Sequence, residues 1–246
     1  MKAMILAAGL GTRLRPLTDD RPKALVEVGG RTLLEITLSR LRAFGIHAVI
    51  VNVHHFADMV VDYLRTNENF GMRVEVSREE VLLDTGGGLK KAAWFFLEKS
   101  ANSDEPFVLH NVDVISTIDL GRMVQFHRDH NALATLAVQD RETSRYLLFD
   151  HQGQLCGRRS AKGSKNIPPA QRTDAWAFSG IHIVSPRTFA MMTEEGAFSI
   201  VTSYLRLAAR GEKILAFRAD EYYWRDLGRA ENVAQAERDF KNDIFS

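Results

Sequence analysis

Residues 6–25 read LAAGLGTRLRPLTDDRPKAL and join a short apolar run to a loop that carries glycine, proline and several cations. The apolar run, residues 3–8, predicts a buried central strand. Gly9 and Gly11 allow close backbone approach and positive φ, and loops of this kind direct N–H groups at phosphate oxygens. Arg13 and Lys23 bracket the proline-containing part, which can fold back over the strand end. The segment therefore predicts a phosphate site with two fixed positive charges beside a bound triphosphate.

The rest of the chain alternates short apolar runs with amphipathic stretches, which favours βαβ units and a mainly parallel sheet. Further strands are predicted at residues 47–53, 73–77, 107–112, 132–138, 175–184, 214–218 and 222–226, and a hairpin at 146–156. Helices are predicted at 32–44, 57–67, after the glycines 86–88, at 119–130, near 199–210 and at 229–241. Residues 158–173 hold five cations, two adjacent prolines and no acid, so they are predicted to form a loop.

Composition limits the classes to which the chain can belong. It has 246 residues, 45% apolar and 26% charged, which fits a globular protein with a sizeable core, and we expect one domain over residues 1–246. The net charge of +1 lacks the excess of positive charge that is typical of proteins binding nucleic acid or an anionic membrane. The single cysteine, Cys156, cannot form an internal disulfide, and no apolar run approaches the length of a membrane helix. We expect a soluble, cytoplasmic protein that is a monomer or a small homo-oligomer.

The pattern G-x-G-T-R-L-x-P-L-T-x-x-x-P-K, present without a gap from Gly9 to Lys23, resembles the signature of sugar-phosphate nucleotidylyltransferases. Later segments resemble other parts of that family in the same order. They are SREEVLLDTGGG (77–88, base recognition), HNVDV (110–114, first metal site), FSGIHIVSP (178–186, sugar pocket) and WRDLG (224–228, second metal site). In length and in the sequence of these segments, the chain is most similar to a short bacterial branch of the family. That branch contains N-acetylmuramate-1-phosphate uridylyltransferases and small mannose-1-phosphate guanylyltransferases.

The resemblance implies an α/β fold of the Rossmann-like, three-layer nucleotidyltransferase type with a mainly parallel central sheet. It leaves no sequence for the C-terminal β-helix that many relatives carry. Residues 1–130 are expected to bind mainly the nucleotide. Residues 131–246 are expected to bind mainly the sugar phosphate and to supply the second metal ligand.

The resemblance also implies a role for individual residues. Arg13 and Lys23 are expected to be catalytic, and the sugar phosphate is expected at Asn111, Arg158 and Gly180. Asp113 follows an apolar strand, where open α/β sheets bind ligands; with Asp226 it would hold Mg²⁺, which prefers carboxylate, phosphate and water oxygens. The expected nucleotide-binding residues are Ala8, Gly9, Gly11, Thr12, Arg13, Lys23, Glu79, Asp84, Thr85 and Gly86.

These parts predict an in-line displacement in which a sugar 1-phosphate attacks a nucleoside triphosphate, with UTP favoured, and releases pyrophosphate. The alternatives are a guanylyltransferase that uses GTP and mannose 1-phosphate, a phosphocholine cytidylyltransferase, and a nucleotide-binding regulator without activity. A cytidylyltransferase would need an aromatic cage, for which Trp176, Phe178 and Trp224 are candidates. The basic segment 158–172 is expected to be mobile without ligand and to close on the sugar side.

Overall fold

The computed structural model describes residues 1–98, 104–160, 163–165 and 173–241. Fourteen strands are present in this part of the chain: β1 (Lys2–Leu6), β2 (Glu27–Val28), β3 (Arg31–Thr32), β4 (Ala48–Val53), β5 (Arg73–Arg78), β6 (Phe107–Asn111), β7 (Val114–Ser116), β8 (Ala134–Gln139), β9 (Arg145–Phe149), β10 (Leu155–Ser160), β11 (Gly163–Lys165), β12 (Asp174–Val184), β13 (Ile214–Arg218) and β14 (Trp224–Asp226).

Eight α-helices accompany these strands in the described residues. They are α1 (Leu33–Ala43), α2 (Ala57–Thr66), α3 (Asp84–Lys91), α4 (Ala93–Leu97), α5 (Leu120–Asp129), α6 (Thr188–Met191), α7 (Ile200–Ala208) and α8 (Ala230–Lys241). Short 3₁₀ turns occupy Thr12–Leu14, Lys23–Leu25 and Glu68–Gly71. No helix in the described part of the chain is long and apolar enough to cross a membrane.

The main sheet is parallel at its centre and antiparallel towards one side. Strands β5, β4, β1 and β6 lie side by side and are parallel, with β1 between β4 and β6. Beyond β6, the strands β12, β9, β10 and β11 follow in antiparallel pairs. Strand β8 pairs with β12, and β13 runs parallel to β8. The prediction of an α/β fold with a mainly parallel central sheet is confirmed.

Both faces of the sheet are buried, so the structure has three layers. Along β1, Ala3 and Ile5 belong to one hydrophobic cluster, and Met4 and Leu6 belong to a second on the opposite face. Such a run is apolar without alternation because helices cover both faces of a parallel sheet. Helices α1, α2, α5 and α8 contribute to the first cluster, and α3, α4 and α7 to the second.

Local sequence signals account for several helix ends. Thr32 is the N-cap of helix α1, and its hydroxyl accepts a hydrogen bond from the Glu35 N–H at 3.1 Å. After α1 the chain turns at Gly45, whose φ is +75°. The Asp119 carboxylate caps α5 by accepting from the Arg122 N–H at 3.0 Å.

The sequence-based prediction is wrong for two segments. The glycines 86–88 do not precede a helix but lie inside α3, where all three are buried. Residues 158–173 were predicted to be a loop, yet β10 and β11 form an antiparallel pair that includes Arg158 opposite Lys165. The predicted mobility and closure of segment 158–172 concern residues that lie mostly outside the described part of the chain.

Candidate active site

Two cavities meet at the carboxyl end of β6, because Asn111 and Asp113 line both of them. The small cavity has a volume of about 460 Å³ and is also lined by Leu6, Ala8, Gly9, Lys23, Asn52, Leu82, Asp84, Thr85, Val112 and Ala197. The large cavity has a volume of about 790 Å³ and includes Arg13, Arg141, Arg145, Tyr146, Arg158, Arg159, Phe178, Gly180, Trp224 and Asp226 in its lining. Most of the residues predicted from the sequence therefore lie around one junction.

The glycine loop after β1 has the conformation that its sequence predicts. Gly11 has a φ of +67°, and its carbonyl accepts a hydrogen bond from the Thr18 hydroxyl at 2.9 Å, which folds the loop back on itself. A Cβ at Gly11 would lie 3.0 Å from Thr18 Cγ2, whereas the space above Gly9 is open. Thr12 begins the turn that carries Arg13. Gly9 thus leaves room for a ligand, while Gly11 shapes the loop.

Asp113 and Asp226 are brought together by a two-stranded ribbon separate from the main sheet. Strands β7 and β14 are antiparallel, and Asp226 lies opposite Val114. The Leu227 N–H donates to the Asp113 carbonyl at 2.7 Å, which joins the two aspartate positions. Within the described residues no three His, Cys, Asp or Glu side chains form a possible metal cluster. The two carboxylates would therefore share an ion with ligand and water oxygens.

Each of these aspartates is next to one of the predicted catalytic cations. The Lys23 ammonium forms an ion pair with the Asp113 carboxylate. Arg13 approaches Asp226 across Gly228, since a Cβ at Gly228 would lie 2.8 Å from Asp226 Oδ1 and 3.0 Å from Arg13 Nη2. The Gly228 N–H also donates to Asp226 Oδ1 at 2.6 Å. The four charged side chains form one polar group at the junction of the cavities.

Glu79, predicted to bind the nucleotide, does not line either cavity. Its side chain is buried and faces the protein: one carboxylate oxygen accepts from Asn52 Nδ2 at 2.7 Å, and the other accepts from the Leu83 N–H at 2.9 Å. Asn52 lines the small cavity, and its Oδ1 accepts from the Ala7 N–H at 2.7 Å. The Glu79 carboxylate therefore links residues 82–84 to β4 through hydrogen bonds, and it does not line the small cavity.

Gly86, also predicted to bind the nucleotide, does not line either cavity. Its N–H donates to the Phe198 carbonyl at 2.8 Å, and a Cβ there would collide with the Phe198 ring. The glycine lets α3 approach the segment before α7. Asp84 and Thr85 do line the small cavity. Asp84 has a φ of +56°, and its carboxylate accepts from the Thr85 N–H at 2.6 Å.

Gly180 and Asn111 meet where the large cavity reaches β12. Gly180 has a φ of +74°, and a Cβ there would lie 2.8 Å from Asn111 Nδ2 and 3.0 Å from Val114 Cγ2. The register of β12 against β8 shifts at this point, between Phe178 and His182. Glycine is thus required both by the backbone and by the close approach. Arg158 lines the same cavity from β10.

Comparisons with known proteins identify the family of this chain. A family model described as "Nucleotidyl transferase" matches residues 2–243. The chain belongs to this family. An N-acetylmuramate alpha-1-phosphate uridylyltransferase of Caulobacter vibrioides is 36% identical over 96% of this chain and 95% of its own length. A mannose-1-phosphate guanyltransferase of Yarrowia lipolytica is 30% identical over 93% of this chain, which spans 61% of that protein.

Solved structures show the same fold. A putative glucose-1-phosphate thymidylyltransferase of Bacillus anthracis superimposes with a TM-score of 0.80 at 18% identity, over 100% of this chain and 97% of that one. The HddC protein of Yersinia pseudotuberculosis, complexed with GMP-PN, gives a TM-score of 0.76 at 24% identity, over 97% and 99% of the two chains. The similar proteins show that this nucleotidyl transferase is a sugar-1-phosphate nucleotidyltransferase. The solved structures show that it shares their fold.

Sequence reasoning missed two arginines that line the large cavity, Arg141 and Arg145. The Arg141 guanidinium lies 3.6 Å from the centroid of the Trp224 ring, and its Nη2 donates to the Phe178 carbonyl at 2.8 Å. The Trp224 indole in turn donates to the Ser179 carbonyl at 2.7 Å. Burial lowers the pKa of Arg141, and nearby Asp226 opposes that change. No motif marks Arg141; its position depends on the contact with Trp224.

Two basic side chains lie behind the site; Arg40 is half-buried and His110 is buried. Arg40 donates to the Ser116 hydroxyl at 2.6 Å and to the Ile118 carbonyl, and burial lowers its pKa to about 10. His110 lies next to Asn111 in β6, and burial, with the charge of Arg40, lowers its pKa to about 4. Arg40 therefore braces β7, and His110 is neutral at pH 7.

Proposed function

We propose that this enzyme transfers a uridylyl group from UTP to the 1-phosphate of an N-acetylated hexosamine or a similar sugar, with release of pyrophosphate. The observation that carries the proposal is the junction at Asn111 and Asp113, where a cavity lined by the glycine loop meets a cavity lined by Gly180. Such a junction brings the two substrates together end to end. The reacting oxygen and phosphorus atoms would meet beside Asp113.

The chemistry requires charge neutralisation more than proton transfer. A phosphate monoester is mostly dianionic at neutral pH, because its second pKa is near 6. The nucleophile is therefore already ionised, and the sugar phosphate needs no general base. Positioning and electrostatic stabilisation are the main catalytic contributions in phosphoryl transfer. Lys23 would lie nearest the α-phosphate, and Arg13 would stabilise the departing pyrophosphate.

The arrangement of Asp113 and Asp226 fits a magnesium ion. Both are half-buried carboxylates, Asp113 in the turn between β6 and β7 and Asp226 at the end of β14, and the Lys23 ammonium already contacts Asp113. Two protein carboxylates with several ligand or water oxygens are a usual coordination for Mg²⁺. When bound, Mg²⁺ would neutralise part of the negative charge of the substrate phosphates. Asp113 and Asp226 would hold the ion through their carboxylates.

Two observations favour UTP over GTP: the position of the Glu79 side chain, and the name of a relative that matches nearly the whole chain. Glu79, the acidic residue that would suit the donor edge of guanine, is engaged by Asn52 and Leu83 and does not line the small cavity. The Caulobacter vibrioides relative that matches this chain over nearly its whole length is named as a uridylyltransferase of a sugar 1-phosphate. Asp84 remains as a carboxylate in the cavity, and it could accept from N3–H of uracil or N1–H of guanine.

The phosphocholine alternative is less well supported. The Trp176 ring stacks on Phe149 with 5.4 Å between the ring centroids, and the Arg218 guanidinium lies 4.4 Å from the Trp176 centroid. Trp176 does not line the large cavity. Trp224 does line it, but the Arg141 guanidinium already covers its ring. A quaternary ammonium needs open aromatic faces. Only Phe178 of the three candidate aromatics stays available.

The test is a matrix of four nucleoside triphosphates against sugar 1-phosphates and phosphocholine, measured by pyrophosphate release with Mg²⁺. The expected result is turnover only with sugar 1-phosphates, and the highest kcat/KM with UTP. A higher kcat/KM with GTP across every sugar would reject the uridylyl assignment and leave nucleotidyl transfer intact. Absence of turnover with every pair would support a regulator without activity.

A further inference from the structure

The proposed reaction joins two anionic substrates, and the cations assigned so far face only the nucleotide. Lys23 is assigned to the α-phosphate, and Arg13 is assigned to the departing pyrophosphate. The sugar 1-phosphate is itself mostly a dianion at neutral pH, and it also needs a fixed positive charge close to the metal-binding aspartates. Arg158, which was predicted for this phosphate, is an exposed side chain on β10.

Arg141 differs from the other arginines that line the large cavity, because it is half-buried. Its Nη2 donates a hydrogen bond to the Phe178 carbonyl at 2.8 Å, whereas its Nε is buried without a partner within the described residues. No carboxylate in that part of the chain forms an ion pair with it. A partly buried cation without a counter-ion is unfavourable, so an anionic ligand would complete the site. The exposed arginines of this cavity are Arg13, Arg145, Arg158 and Arg159.

Trp224 fixes the Arg141 guanidinium beside the metal-binding aspartates. The guanidinium lies 3.6 Å from the centroid of the indole ring, and the indole is itself held by its hydrogen bond to the Ser179 carbonyl. Trp224 and Asp226 are two residues apart in β14, so they are on the same face of the strand and about 7 Å apart. Burial lowers the pKa of Arg141, and the Asp226 charge opposes that change. Stacking holds the plane of a guanidinium and leaves its edge available to a phosphate.

We propose that Arg141 is a catalytic residue that binds the phosphate of the sugar 1-phosphate, and that Trp224 is the positioning residue for its guanidinium. The proposal rests on the proposed function and assigns a cation to its acceptor substrate. One phosphate oxygen would attack the α-phosphorus while Arg141 holds the other oxygens. The new O–P bond forms as the bond from the α-phosphorus to pyrophosphate breaks, and pyrophosphate takes the electron pair. Arg141 keeps its proton throughout, since a guanidinium does not act as an acid in proteins.

A matched pair of ligands separates contact with the phosphate from damage to the sugar pocket. The pair is N-acetylglucosamine 1-phosphate and the methyl α-glycoside of N-acetylglucosamine, which lacks the phosphate. Dissociation constants are measured by NMR titration, with Mg²⁺ and the non-reactive α,β-methylene analogue of UTP present. Arg141→Gln should weaken binding of the sugar 1-phosphate by between about tenfold and a hundredfold, the range of a hydrogen bond to a charged group, and change that of the glycoside by less than about twofold.

Kinetics provide a second measurement on the same variants. Arg141→Gln should raise KM for the sugar 1-phosphate and, in the reverse direction, for the UDP-sugar, because that phosphate becomes part of the product. KM for UTP and for pyrophosphate should change by less than about twofold. Arg141→Lys keeps the charge but loses the planar fork, so it should recover part of the affinity.

Arg218→Gln is the matched control for loss of a stacked arginine. The Arg218 guanidinium also lies over an indole, 4.4 Å from the Trp176 centroid, but it is paired with Asp220 and does not line the large cavity. This variant should bind the sugar 1-phosphate and the glycoside with affinities within about twofold of wild type. Thermal unfolding checks that each variant is folded. If Arg141→Gln does not fold, Arg141→Lys supports the same comparison, since its loss should again be confined to the sugar 1-phosphate.

Two outcomes would overturn the proposal. Equal weakening of the sugar 1-phosphate and the glycoside would show that Arg141 only shapes the pocket. Unchanged affinity for the sugar 1-phosphate in Arg141→Gln would show that its phosphate does not contact Arg141. If the wild-type enzyme turns over a different sugar 1-phosphate, the matched pair is made from that sugar. Absence of turnover by the wild-type enzyme with every pair of substrates would instead reject the proposed function.

Discussion

Lys23 and Asp113 form an ion pair between two segments that are 90 residues apart, and only 12% and 16% of their side chains are exposed. The pair holds the proline-containing loop against the carboxyl end of β6. It also keeps the Asp113 carboxylate oriented at the junction of the two cavities before any substrate binds. The Lys23 ammonium is therefore already in place beside the position proposed for the α-phosphate.

Lys23→Ala and Arg13→Ala should slow the chemical step more than they weaken nucleotide binding. Their charges face groups whose negative charge changes during transfer, so their contribution grows towards the transition state. We expect a loss of about a hundredfold in the single-turnover rate. Arg15→Ala is the control, since Arg15 belongs to the same loop but is exposed and paired only with Asp19. An unchanged single-turnover rate with weaker binding would make Lys23 and Arg13 anchoring residues.

Asp113→Asn and Asp226→Asn should each lower kcat by more than about a hundredfold at saturating Mg²⁺. The amide oxygen can still accept from Lys23 or from the Gly228 N–H, so the local geometry is retained while one ligand charge is lost. Asp20→Asn, at an exposed position of the loop, serves as control. The readouts are the steady-state rate as a function of Mg²⁺ concentration and the thermal midpoint. A rate near that of wild type for either variant would contradict the two-carboxylate site.

Gly180→Ala should damage both stability and activity, and Gly45→Ala separates the two causes. Both glycines have nearly the same backbone, with φ of +74° and +75°, but only Gly180 has close neighbours. Left-handed backbone costs a residue with a Cβ about 1–2 kcal/mol. For Gly45→Ala, urea unfolding should show that decrease in the free energy of unfolding, while kcat/KM stays at the wild-type value. Gly180→Ala should lose more stability, and its kcat/KM should fall at least tenfold, as Asn111 is displaced. Equal behaviour of both variants would show that the contact with Asn111 is unimportant.

Stability should decrease as the pH falls below 6.5, partly because of His127. This side chain is buried, its Nδ1 lies 3.0 Å from the Thr135 hydroxyl, and burial lowers its pKa to about 4. The unfolded chain binds a proton at higher pH than the folded one, so the contribution is complete above pH 6.5 and is lost as the pH falls towards 4. Between pH 7 and 5 the loss is about 2 kcal/mol. Urea unfolding of His127→Gln should show a correspondingly smaller pH dependence. An unchanged slope would mean that His127 is not neutral in the folded state.

The parts of the fold that depend on local sequence were predictable. Strands β1 and β4 are mostly apolar, and α1 has an N-cap threonine and a glycine stop, so each carries its own signal. The β7–β14 ribbon was not predicted as a pair, because each strand has three residues and the register depends on packing against α8 and the main sheet. The signature loop and both aspartates were found because their residue types and order are specific to their chemistry.

Long-range contacts decide which residues of a predicted segment line the cavities. Glu79 is held by Asn52, and the Gly86 N–H is held by the Phe198 carbonyl, so neither residue lines the small cavity. Arg141 shows the opposite case, since its sequence context is an ordinary polar turn, and Trp224 and the Phe178 carbonyl hold it in the site. Contacts between residues distant in the sequence determine which side chains line the cavities, and such contacts cannot be seen in a local sequence pattern.

Glu79→Gln is the clearest test of this reassignment. A glutamine can accept from Asn52 through its oxygen, but its NH₂ group would face the Leu83 N–H, so one buried hydrogen bond is lost at a cost of about 1–3 kcal/mol. The 82–84 segment should loosen and raise KM for UTP and GTP by the same factor, because Glu79 does not line the small cavity. Glu80→Gln, next in the sequence and exposed, is the control. The measurements are urea unfolding and kcat/KM for both nucleotides. A UTP-to-GTP ratio that shifts by tenfold or more would restore Glu79 as a residue that reads the base, whereas an unchanged ratio with lower stability is the expected result.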